Sequence, residues 1–191
     1  LVLRALAICN RTKLLKISMI VFLTISLTGF LNTLQAQTTI TKSIATGTDD
    51  VEEGGVGSTF GTGHGYMYNT SPRIELTRDD QDPSSGNQTV GLRFTGMTIP
   101  KNAIITSAYL TFRGVTPVSP NSNSGTTNVT IKGQAADNPG TFTTTAFDVS
   151  NRPGTSATVA WAPPTWSDAV NYNSPSIIGI VQELVNRSGW N

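Results

Sequence analysis

The stretch Ala103-Ile-Ile-Thr-Ser-Ala-Tyr-Leu-Thr-Phe-Arg-Gly114 decides the fold class. Along an extended chain Ile104, Ala108, Leu110 and Phe112 fall on one side, and Ser107, Tyr109, Thr111 and Arg113 on the other. That period of two is what a half-buried antiparallel strand requires. Just upstream, Val90, Leu92 and Phe94 alternate with Thr89, Gly91 and Arg93, and residues 97–102 end in the turn Ile99-Pro-Lys-Asn102. The turn predicts that the two strands pair, with the second one central.

The same alternation extends in both directions. Val129 and Ile131 against Thr130 and Lys132, then Ala157, Val159 and Trp161, predict two further strands. Ile74 with Leu76, and Ile40 with Ile44, give weaker ones. Gly-, Pro-, Asn- and Ser-rich turns at 54–65, 79–87 and 117–127 separate them. Six or more short strands predict an all-β antiparallel sandwich or barrel. Only residues 176–187 break the pattern. There Ile177, Ile178, Ile180, Val181, Leu184 and Val185 recur at helical spacing after Ser174, a candidate cap, and Pro175 in the first turn. One short C-terminal helix is therefore expected, with its apolar face plugging an end of the sheets.

The first 36 residues read as an address. Arg4, Arg11, Lys13 and Lys16 precede an apolar run at 17–31, and Ala36 offers a cleavage point. A run of about 15 residues is shorter than the roughly 20 of a spanning helix, so a removed signal peptide is expected over an uncleaved anchor. Residues 37–191 then form one module, exported to the cell surface or beyond. Four of the 13 Lys+Arg leave with the leader, so 9 face 12 Asp+Glu and the net charge falls from +1 to −3. Without a basic cluster, nucleic acid is not an expected partner, and no membrane association is expected after signal removal. The single cysteine, Cys9, lies in the leader, which excludes disulfides, thiolate nucleophiles and cysteine-bound metals from the module.

Several strings share a likeness. Gln88-Thr-Val-Gly-Leu-Arg-Phe-Thr-Gly-Met-Thr-Ile-Pro100, followed by the strand from Ala103, resembles the β-sandwich modules of the DNRLRE, disaggregatase-related type. Asp49-Asp-Val-Glu-Glu53, Gly133-Gln-Ala-Ala-Asp-Asn138, Val159-Ala-Trp-Ala-Pro-Pro-Thr-Trp166 and Ile180-Val-Gln-Glu-Leu-Val-Asn-Arg-Ser-Gly-Trp190 look like its other landmarks. The resemblance implies a jelly-roll-like sandwich similar to carbohydrate-binding modules, serving as an accessory unit beside other domains of a large secreted or surface protein. It also implies strands following the helix, so the module is expected to be incomplete at its C-terminus.

Candidate sites follow from side-chain chemistry. Aromatic faces pack against the C–H faces of sugar rings, which makes Trp166, Tyr66, Tyr68 and Tyr172 candidates for contact with a polysaccharide or surface glycan. Trp161 sits on an apolar strand face and is read as core. Tyr66 and Tyr68 share a strand face, as a platform or as cover. Asp79, Asp80 and Asp82 could supply part of a Ca²⁺ shell, or be a solvated acidic loop; their spacing lacks the glycine and distal glutamate of an EF-hand. Asp49, Asp50, Glu52 and Glu53 form a second carboxylate group. Read as glycosidase acid and base, these residues lack an evident cleft, so catalysis is not expected. His64, within Gly61-Thr-Gly-His-Gly65, is read as part of a flexible turn. The expectation is a non-catalytic glycan-binding or adhesion module; a purely structural spacer is the rival, and a small hydrolase or lyase comes third.

Overall fold

The computed structural model describes residues 37–79, 81–82, 84–115 and 126–191. The leader and Asp80 lie outside the described residues, as does most of the 117–127 loop. Residues 40–191 form one compact unit. It is mostly strands with one short helix, arranged as three small antiparallel sheets.

The first sheet has β1 (Asp50–Glu53) between β2 (Met67–Tyr68) and β3 (Thr89–Leu92). Glu52 stands opposite Tyr68 on one side and Val90 on the other, while Val51 faces Gly91. Strand alternation sends Val51 inward with Met67, and Phe142 and Val149 close over them as a core. Gly91 is what admits Phe142. A Cβ there would lie 2.6 Å from the ring and 2.9 Å from Val149 Cγ2.

The second sheet pairs β4 (Thr111–Arg113) with β7 (Asn171–Asn173), and the third pairs β5 (Val129–Gln134) with β6 (Gly154–Trp161). The expected pairing of the Val90 strand with the Ala103 strand does not occur: β3 takes β1 as its partner and β4 takes β7. In the Ala103 stretch, Ala108, Leu110 and Phe112 keep the inward face, but the phase slips upstream. Ile105 is half-buried and Ile104 is 77% exposed. The cause is the partner. Beyond β7 the chain turns toward the helix, so the Ala103 stretch is served by Ser174 N–H on Leu110 O, then Ile177 N–H on Ala108 O. Further along, the Gln182 side chain accepts from Ile105 N and donates to Ala103 O, both at 2.9 Å. A helix side chain thus stands where a neighbouring strand would be.

That helix, α1 (Ile178–Val185), packs on β6 and β5, and Ile177, Ile180 and Val185 are buried. Burying such side chains is worth about 1.5–3 kcal/mol each. Ser174 does not cap it: its hydroxyl accepts Leu110 N–H and donates to Pro175 O, and Ile177 takes the cap position without a side-chain bond. Glu183 reaches from α1 to accept Ser156 and Ala157 N–H, each at 2.8 Å. The pairing of β5 with β6 is irregular between Lys132 and Gln134, and Gly133 there lets Ile180 and Leu184 approach the sheet. Residues 74–76 and 40–44 are not strands. Glu75 N–H goes to the Glu52 carboxylate at 2.6 Å, so a side chain takes the bond a strand neighbour would have made.

Because a methyl group at Gly91 or Gly133 overpacks a filled space, Gly91→Ala and Gly133→Ala should each lose about 1–3 kcal/mol in urea unfolding. Unchanged midpoints would show that Phe142 and α1 do not close on these positions.

Candidate functional site

Strand period two also decides what lies on the other face of the first sheet. Glu52 and Tyr68 share the face opposite Val51 and Met67, and Tyr66 lies two residues before Tyr68 on that face. The 54–60 turn brings Phe60 over them, its ring stacked on Tyr68 with centroids 6.4 Å apart. Together with Asp79 and Gln88 these residues line a shallow depression of about 10 Å³, room for one water molecule. Phe60 and Tyr68 are 38% and 41% exposed, so both side chains keep open surface at its rim.

Asp82 holds the two turns together. Its carboxylate, only 2% exposed, accepts Thr59 N–H at 2.6 Å and the hydroxyls of Ser58 and Ser84. The Ser84 hydroxyl, then Thr59 N–H, hold its pKa down at about 2. Glu52 shifts the other way: burial pushes its carboxyl above the ordinary value, assisted by the charge of Asp79 and opposed by hydrogen bonds with Glu75 and Gln88. Its Oε1 accepts both Glu75 N–H and Gln88 Nε2.

The predicted residues separate into two groups. Tyr66 and Tyr68 meet at the depression. Trp166 and Tyr172 do not join them: Trp166 stacks on Tyr172 at 5.2 Å with 4° between planes, and packs against Trp161 and Phe112. Trp161 is 8% exposed, and the Tyr172 hydroxyl accepts Ser167 N–H. The Trp166 indole N–H is buried without a partner among the described residues. Of the acidic loop, Asp79 accepts Gln81 N–H, and Asp82 is occupied as above. Among the described residues no three His, Cys, Asp or Glu side chains are grouped to hold a metal ion. His64 packs edge-on against Phe147 at 5.0 Å.

Phe60 was invisible to sequence reasoning, hidden in a Gly-rich turn, and Glu52 read only as one of four acids. What links them to Tyr68 is the pairing of β1 with β2, which two strand residues in β2 are too few to announce. Among the described residues no helix is long and apolar enough to cross a membrane. No protein-family model, curated protein or solved structure matches this chain.

The two shifted carboxyls predict opposite pH behaviour. The depressed Asp82 contributes stability that is full above its ordinary 3.8 and lost as pH falls through about 2. Urea unfolding of Asp82→Asn should therefore differ most from the parent above pH 4 and converge toward pH 2. For Glu52 the folded state favours the protonated form, so its contribution is full below 4.5 and fades as pH rises through the elevated value. Glu52→Gln should flatten that decline as pH rises above 4.5. A parallel offset at every pH for either variant would contradict the assignment.

Proposed function

We propose that this chain is a non-catalytic carbohydrate-binding or adhesion module of a larger exported protein, with its small sheets belonging to a jelly-roll-like sandwich of the DNRLRE type. One observation carries the reading: Phe60, Tyr66 and Tyr68 gather on one contiguous face beside Glu52, Asp79 and Gln88. Aromatic faces with polar groups at their edge suit a sugar, whose C–H faces stack while its hydroxyls bond laterally. The depression is too small to enclose a substrate between two carboxylates, which speaks against the hydrolase reading. Binding therefore takes place at an open surface, as a module that tethers its parent to a matrix would require.

Trp166 and Tyr172 have a structural role in this reading, since four rings already cover one another. The packing of these rings is also what a pure spacer would show, and the open Phe60–Tyr68 pair is the feature it leaves unused. Calcium is less well supported than glycan, because Asp82 is spent on Ser58, Thr59 and Ser84.

A glycan array probed with the full chain should give saturable binding that chelator leaves intact. Tyr68→Ala should weaken it by about 1–1.5 kcal/mol, roughly 5- to 10-fold in Kd. Trp166→Ala should instead lower stability by about 2–4 kcal/mol at unchanged Kd. A folded protein that retains no glycan at all would favour the spacer.

A further inference from the structure

The depression has a chemical bias that narrows the ligand. Its amide and serine donors are already engaged, and the Tyr66 and Tyr68 hydroxyls in its wall can accept as well as donate. The Gln88 amide gives both its hydrogens to Glu52 Oε1 and Glu75 O, so what it has left is an acceptor. The Ser58 and Ser85 hydroxyls donate to Asp82 and to Gly86 O. Glu52 and Asp79 add carboxylates, and no Lys, Arg or His is among the described lining residues. Three aromatic rings complete the wall, and ring faces attract cations through their quadrupole. Acceptors, negative charge and ring faces together call for a compact donor-rich cation.

Size points the same way. A volume of about 10 Å³ cannot hold a sugar ring or an acetamido group, but matches a group the size of one water. An ammonium with three N–H donors has that size. The exposed surface of Phe60 and Tyr68 at the rim is left for the ring that carries it.

We infer that the depression takes the ammonium group of an amino sugar, so the glycan recognised is one with free, not acetylated, amines. This rests on the carbohydrate-binding reading and sharpens it. An acetylated amine would bring a bulky carbonyl toward Glu52 and Asp79, and a uronate would bring like charge.

The test is titration calorimetry of the full chain at pH 6 with a glucosamine hexamer, its fully N-acetylated counterpart and an oligogalacturonate. The glucosamine hexamer should bind at least tenfold more tightly than the acetylated one, the uronate should not bind, and the preference should shrink as salt rises from 50 to 300 mM. Glu52→Gln and Asp79→Asn should each reduce the preference about fivefold. Asp79 is half-buried and bonded to the adjacent turn, so its variant keeps the test open if Glu52→Gln fails to fold. Equal or tighter binding of the acetylated hexamer, or binding confined to some other glycan on the array, overturns the amine assignment while the carbohydrate reading stands. No binding to any glycan overturns both.

Discussion

Buried carboxylates accepting backbone N–H groups are the interaction on which the rest of this structure depends. On the central strand, Glu52 holds Glu75 and Glu53 holds Val149 and Ser150, while Asp49 next to it pairs with Arg93 at 2.7 Å. All three acids are 4% exposed. Hydrogen bonds to a carboxylate contribute about 1.5–3 kcal/mol when it is charged, more than neutral ones, and so offset part of the cost of burying it. Asp82 and Glu183 repeat the device on a turn and on the helix. With strands of two to eight residues, ladders alone leave many backbone donors unserved, and side-chain oxygens serve them instead.

This explains which parts of the fold were legible in sequence. The strands β5 and β6 and the helix obey ordinary apolar periodicity, and they lie where Val129, Ile131, Ala157, Val159 and the Ile177–Val185 pattern put them. The Asp50–Glu53 strand does not. Three acids around one valine look like a solvated surface, and partners brought in by distant loops hold two of them, Glu52 and Glu53, in the interior. Ile74 and Leu76 mislead in the converse way, since alternation there is real but the pairing is done by a side chain. Ile104 misleads because apolar phase was extrapolated through a slip that the helix imposes.

The candidate site was half legible for the same reason. Tyr66 and Tyr68 declare a common face by spacing alone, and sheet geometry keeps that promise. Phe60 and Glu52 join them only through a turn closed by Asp82 and through register across β1 and β2. The aromatics most conspicuous in sequence, Trp161 and Trp166, went to packing. Residue type marked what could bind, and topology decided which rings stay uncovered.

The Gln182 side chain ties the fate of two segments together. Its amide completes the edge of the Ala103 stretch, and Ile177 and Ser174 extend the same seam. Undocking the helix would therefore strip hydrogen bonds from a strand more than 60 residues away in sequence. Opening of the helix costs these bonds as well as its own apolar contacts, which couples its local stability to that of the Ala103 stretch.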